Sequence, residues 1–180
     1  MSIEVLKGNI PSYAKDLKLN LSTLLGGTDT IQLSVQTIAA CALAAGYASS
    51  EKTVIQLLQN HAREQGVTEE VITAIKSAAA VMGMNNVYYR TMYAISNKHY
   101  ASLPAQLRMH ILQQHGIKQT DFELYCLVIS AVNGCGHCVN AHVHQLEKNN
   151  IGESEIHYSL RVASVIKGVA QVLVIEAAQA

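Results

Sequence analysis

Two cysteines three positions apart, Cys135 and Cys138, are followed four residues later by His142. On an α-helix, positions i, i+3 and i+7 share a face, so both thiols and the imidazole can converge on one small volume. His137 lies between the cysteines and must project elsewhere. Glu123, twelve residues before Cys135, offers a carboxylate that a helix–turn–helix could fold back toward His142. A dithiol, an imidazole and a carboxylate are the components of a thiol redox centre. Asn133-Gly134 should break the preceding helix and leave the cysteines in or near the first turn of the next. There, unpaired backbone N–H groups and the helix dipole favour a thiolate.

The same residues admit other readings. Cys135, Cys138 and His142, with or without Glu123, could hold zinc in a helical interaction module that has no catalytic role. Zinc usually draws its ligands from two separated pairs, and no second Cys/His pair occurs, so a redox site without metal is the expectation. Thr120-Asp121-Phe122-Glu123 also matches a capping box, in which the glutamate bonds back to the cap residue's N–H. Spacing alone favours that cap over a role for Glu123 in chemistry. Spacing also leaves open which of the two cysteines attacks. The other two cysteines, Cys41 and Cys126, lie inside apolar helical patterns and read as inert core thiols. His61, His99, His110, His115, His144 and His157 are scattered and carry no assignment.

The elements that position this centre should all be helices. The chain has 180 residues, 49% of them apolar, with only nine Phe and Tyr and no Trp, so Ala, Leu, Ile and Val must fill the core. Thirteen basic and thirteen acidic residues balance, which leaves no electrostatic footprint for nucleic acid or an anionic membrane surface. The most apolar window, Ile31 to Ala48, contains Gln32, Ser34, Gln36 and Thr37 and reads as a buried helix rather than a membrane span. Met1-Ser2-Ile3-Glu4 has no basic stretch leading into an apolar run, which argues against a signal peptide and makes the cytoplasm the expected compartment. In that compartment a CxxC pair is catalytic or metal-binding more often than structural.

Start and stop signals predict a bundle of about eight to nine helices in one domain spanning 1–180. The first runs from near Pro11 to Gly26-Gly27, the second from about Thr30 to Tyr47, and the third from Ser50 to Gln65. Thr68-Glu69-Glu70 opens a fourth that reaches Met84, and a fifth spans Val87 to Lys98. Ser102 and Pro104 open a sixth that closes at Gly116. Thr120 opens the seventh, the cysteine-bearing helix runs to about Lys148, and a last long one starts near Glu153. Strand-type alternation is hard to find, which argues against a thioredoxin-like βαβ frame around the CxxC pair.

Part of the pattern recurs, roughly over 28–85 and 119–170. A shift of 91 lays Asp29-x-x-Gln32 over Thr120-x-x-Glu123, and a shift of 85 lays Val71, Ala78 and Gly83 over Ile156, Ala163 and Gly168. On the first shift the counterparts of Cys135, Cys138 and His142 are Ala44, Tyr47 and Glu51, so only the second copy carries the redox motif.

Glu123, eleven intervening residues, Cys135-Gly136-His137-Cys138, three more, and His142 together resemble the signature of the alkyl hydroperoxidase D family. That family belongs to the carboxymuconolactone decarboxylase-like superfamily. The resemblance extends through Val139-Asn140-Ala141 and on to Val162-Ala163-Ser164-Val165-Ile166-Lys167-Gly168. It implies a duplicated all-α fold and an antioxidant thiol peroxidase and disulfide reductase acting on organic hydroperoxides and hydrogen peroxide. The position of Cys138 is then the peroxidatic one, passing through a sulfenic acid and forming the mixed disulfide with a partner. Cys135 is the proton donor and resolving thiol that closes a Cys135–Cys138 disulfide. Glu123 and His142 form a proton relay, with His137 adjacent. The resemblance further implies no bound cofactor, a dihydrolipoyl group on a 2-oxo-acid dehydrogenase component as external reductant, a peroxiredoxin partner, and a homo-oligomer, a trimer. A decarboxylase or lactone enzyme of the wider superfamily would have no evident use for the paired cysteines.

Overall fold

The computed structural model describes residues 2–26, 31–97 and 99–179. Gly27, Asp29, Thr30 and Lys98, which enter the expected boundaries and repeat, lie outside them. Among the described residues there are nine α-helices and no strand. They are α1 (Ser2–Gly8), α2 (Lys15–Leu25), α3 (Val35–Ser49), α4 (Lys52–Glu64), α5 (Glu69–Ala94), α6 (His99–Ser102), α7 (Gln119–Val132), α8 (Gly136–Lys148) and α9 (Glu153–Ala177). No described helix is long and apolar enough to cross a membrane.

α3 and α7 form the centre. Every residue of α3 from Ile38 to Gly46 is buried, as is every residue of α7 from Leu124 to Ser130. A helix that is apolar all round can be stable only if neighbours cover all of its faces. α9, α5 and α4 supply that cover for α3, and α9, α5 and α8 supply it for α7. α1 packs on α4, and α2 packs on α9.

Two expected boundaries are corrected. The separate helices expected over 68–84 and 87–98 are one 26-residue helix, α5. Gly83, Asn85 and Asn86 are poor helix formers by propensity, yet Asn85 and Asn86 are buried there. Asn86 is held by side-chain bonds to α7 and the residue after it, so tertiary contact overrides local preference. The helix expected from Ser102 to Gly116 does not form. Apart from the end of α6, the segment contains a single 3₁₀ turn, His110–Leu112. Gln106 adopts a left-handed conformation (φ 51°), which a right-handed helix cannot pass through. The segment instead runs over the bundle and leans Met109, Ile111 and Leu112 on the core. α1 was not anticipated from the sequence.

The helix starts of α3, α4 and α5 recur in α7, α8 and α9 at a constant offset of 84 residues, with lengths of 15, 13 and 26 against 14, 13 and 25. Left-handed residues recur at the same offset, Ser50 with Gly134 and Gly66 with Asn150. The expected shift of 91 at the first helix is therefore displaced by seven residues. Seven residues are about two helical turns, so that displacement keeps the apolar face in phase and cannot be detected from periodicity. At the structural offset Cys135, Cys138 and His142 face Glu51, Val54 and Leu58, not Ala44, Tyr47 and Glu51. The local geometry is shared. Glu51 caps α4 by accepting from Val54 N–H (2.6 Å), and Cys135 Sγ occupies the same place on α8, accepting from Cys138 N–H (3.3 Å).

Candidate active site

The cysteines sit on an elbow that α5 clamps. After α7 ends at Val132, Gly134 turns the chain with φ 70°, a conformation that costs a residue bearing Cβ about 1–2 kcal/mol. The Cys135 N–H donates back to Ser130 O (3.0 Å). From α5, Arg90 Nη1 donates to Asn133 O (2.6 Å). Asn133 Nδ2 donates to Asn86 Oδ1 (2.9 Å), and Asn86 Nδ2 donates to Ser130 Oγ (2.9 Å). Ser130 and Asn133, which lead into the turn, are thus tied to α5, and Cys135 beyond it is tied back to Ser130. Cys135 is the N-cap of α8 rather than a residue inside it, so the expected single stripe is a cap thiol followed by Cys138 and His142 on the helix.

Cys135 and Cys138 form a disulfide with a Cα–Cα distance of 5.3 Å. The two sulfurs differ in access. Cys135 is fully buried, whereas Cys138 lines a largely apolar cavity of about 360 Å³. Met82 and Tyr89 of α5, Met109 and Leu112 of the irregular segment, and His137 and His142 of α8 share that lining. His137 stacks on Tyr93 (centroids 3.8 Å apart, planes 19° apart), with Tyr89 at 5.7 Å.

His142 stands one turn beyond Cys138 and meets Glu123, with Nδ1 2.7 Å from Oε2. Both side chains are mostly shielded, 13% and 16% exposed. An ionised carboxylate only accepts, so Nδ1 of His142 carries the hydrogen and Nε2 is left for other partners. The capping-box expectation for Glu123 is overturned. α7 begins at Gln119 with Lys118 as its N-cap, and Thr120 Oγ1 is buried without a partner. Thr120 is thus inside the helix, and Glu123 lies too far along it to reach back to the cap.

All five residues singled out for the site, Glu123, Cys135, His137, Cys138 and His142, are gathered here. Two further residues join them. Gln119 Nε2 donates to Glu123 Oε1 (2.9 Å), and His115 Nε2 lies 2.8 Å from Gln119 Oε1. The four-residue spacing of Gln119 and Glu123 was a legible pairing signal. His115 gave no such signal, because it reaches Gln119 from a turn outside the helix. Cys41 and Cys126 are buried apart from the disulfide, and burial pushes the Cys41 thiol up to about 12 and the Cys126 thiol well above its ordinary value. Among the described residues, no group of three or more His, Cys, Asp or Glu is placed to hold a metal ion, so the zinc-module alternative is not favoured.

Residues 99–180, which include every motif position, match the model of the carboxymuconolactone decarboxylase family. Over 174 residues the chain is 43% identical to the alkyl hydroperoxide reductase AhpD of Coxiella burnetii, covering 97% of this chain and 98% of that protein. The AhpD of Maricaulis maris is 43% identical over 176 residues, covering 98% and 99%. The AhpD of Hyphomonas neptunium is 42% identical over 180 residues, covering 100% and 98%. The chain belongs to the AhpD family. Membership therefore extends beyond the five-residue signature to α1–α5, the part that carries no cysteine pair but clamps the elbow. The all-helical architecture is the AhpD-like one.

Proposed function

We propose that this AhpD-family protein is a thiol peroxidase and disulfide reductase that cycles Cys135 and Cys138 between dithiol and disulfide. The observation that carries this is the asymmetry of the pair: one sulfur opens on the cavity beside His142, and the other is buried behind it. The names of the relatives support a peroxide as oxidant. The Cys138 thiolate, favoured by the first turn of α8, attacks the distal oxygen of a hydroperoxide, and the O–O bond breaks. Cys138 becomes a sulfenic acid and an alkoxide leaves, collecting a proton through His142. The Cys135 thiol then displaces water from the sulfenic acid, and the disulfide closes. Glu123 holds His142 in the tautomer described and balances its charge when it is protonated. Such general acid–base assistance is worth about 10²–10⁴-fold.

In the return half-cycle an external dithiol, a dihydrolipoyl group on a 2-oxo-acid dehydrogenase component, attacks Cys138 because it is the reachable sulfur. Cys135 leaves as a thiolate, and the second lipoyl thiol closes the lipoyl disulfide and releases Cys138. The reduced pair can pass its two electrons on to a partner peroxiredoxin disulfide, again through a mixed disulfide at Cys138. No resident cofactor takes part. A cytoplasmic homotrimer is the proposed working form.

Mass spectrometry of the reduced protein after one equivalent of an organic hydroperoxide tests the assignment. Cys135→Ser should accumulate a sulfenic acid on Cys138 that cannot be resolved, and Cys138→Ser should form none. A sulfenic acid trapped on Cys135 in the Cys138→Ser protein would reverse the roles.

A further inference from the structure

The Glu123 carboxylate is held on both oxygens. Oε2 meets His142, and Oε1 accepts from the amide of Gln119. A carboxylate has about four lone-pair sites and a freely turning side chain, so a single bond to His142 would not fix its plane. The second bond does.

The direction of the chain of bonds beyond Glu123 is determined at its outer end. Gly116 is left-handed (φ 77°) and folds the backbone so that Ile117 N–H donates to His115 Nδ1 (3.3 Å). With Nδ1 accepting, the hydrogen of the neutral ring is on Nε2, which must donate to Gln119 Oε1. Gln119 Oε1 is thereby occupied, and its NH₂ can only face Glu123. The amide orientation follows from both neighbours rather than from a choice between oxygen and nitrogen. The His115 ring is also held flat on Phe122, a fully buried residue, with centroids 4.0 Å apart and planes 8° apart. The donors run His115 to Gln119 to Glu123, and His142 meets Glu123 from the other side.

We infer that Gln119, oriented by His115, is a positioning residue that fixes the Glu123 carboxylate against His142. This rests on the reading above, in which the Glu123–His142 pair moves the proton. Gln119 is exposed, so replacing it opens no core and need not affect folding. Its effect should therefore appear in turnover and not in stability. Losing one hydrogen bond to a charged group at a partly exposed site corresponds to about a tenfold loss of rate.

The test is a set of variants, Gln119→Leu, Gln119→Glu and His115→Phe, made in the wild-type and Glu123→Gln backgrounds. Single-turnover closure of the disulfide by tert-butyl hydroperoxide is followed across pH 5 to 9, with melting curves alongside. In the wild-type background, Gln119→Leu should lose about tenfold with an altered pH–rate profile and an unchanged melting temperature. Gln119→Glu, which keeps the shape but only accepts, should be at least as slow, and His115→Phe, which can still stack on Phe122, should lose less. In the Glu123→Gln background the Gln119 substitutions should add nothing, because their effect passes through the missing carboxylate. An equal loss in both backgrounds, or full activity of Gln119→Leu beside a slow Glu123→Gln, overturns the role of Gln119 and leaves the relay standing. Full activity of Glu123→Gln itself overturns the relay, and the inference falls with it.

Discussion

His142 and Glu123 lie nineteen residues apart in sequence, and their side chains meet at 2.7 Å, bridging α8 to α7 at the rim of the Cys138 cavity. Because Glu123 is not a cap, its removal should spare the helix and cost the chemistry. Glu123→Gln keeps shape and hydrogen bonding but carries no charge to balance a protonated His142. It should melt close to wild type and lose about 10²-fold or more in peroxide-reducing rate. Glu123→Ala should lose a similar rate without the 0.5–2 kcal/mol penalty, roughly, of a lost helix cap. Parallel melting curves and turnover assays check both, and a full-rate Glu123→Gln protein would remove the carboxylate from the relay.

The cysteine motif could be read from the chain because its geometry is local: the cap, the first turn and His142 span eight residues of one element. Glu123 was ambiguous for the same reason. Its local context reads as a cap, and the packing of α7 on α8 is what selects the competing fold-back toward His142. The continuity of α5 through Asn86 was hidden because Asn86 is held by side-chain bonds to the elbow, 47 residues away at Asn133. Where the segment after α6 runs is decided by what it covers, and periodicity carries no record of that. His115 was invisible because a left-handed turn at Gly116, not a helical spacing, brings it to Gln119.

The elbow should be sensitive at its buried bonds. Asn86 is 1% exposed and serves both Ser130 and Asn133. Asn86→Ala removes a partner from buried Ser130, whose hydroxyl keeps Met82 Sδ (3.6 Å), and from half-buried Asn133. An unsatisfied buried polar group costs about 1–3 kcal/mol, and the partial rescue puts this variant at the low end. Denaturant midpoints should fall accordingly, and alkylation of the reduced cysteines should change as the turn loosens. At Gly134, Asn should be tolerated better than Val, since Asn enters the left-handed region several-fold more often than branched residues, and Ser50 already occupies the matching position. Equal stability of the Asn and Val variants would show that the turn is not under this constraint.

Thiol counts should separate the two cysteine classes. Cys41 and Cys126 are almost fully buried, and burial holds both as neutral thiols at ordinary pH. A thiol is reactive through its thiolate. With an aromatic disulfide reagent, the reduced native protein should therefore release two equivalents of the aromatic thiol quickly near pH 8, and four only after denaturation. One is released as the reagent caps Cys138 and one as Cys135 displaces it to close the disulfide. Cys41→Ala and Cys126→Ala should leave the native count at two. Rapid labelling of either residue in the folded protein would contradict their burial.

His61 should make the fold sensitive to mild acid. It lies in α4, 5% exposed, with Nδ1 lacking a partner. Burial lowers its pKa below the ordinary value of 6.5, only partly opposed by nearby Glu64. A histidine with a depressed folded pKa binds its proton more readily in the unfolded chain. Its contribution is therefore complete above pH 6.5 or so and is lost as the pH falls through that value toward the lower folded pKa, below which the curve flattens. The carboxylates held low by partners, Glu64 with Ser2 and Glu69 with Arg63, act below their ordinary value of 4.5, in a separate and more acid window. The melting temperature should thus decline on going from pH 7.5 to pH 5, and His61→Leu, which cannot be protonated, should decline less over that interval. The difference between the two proteins isolates His61 from every other titrating group. A difference that does not vary with pH would mean that His61 takes up its proton as easily in the fold as outside it.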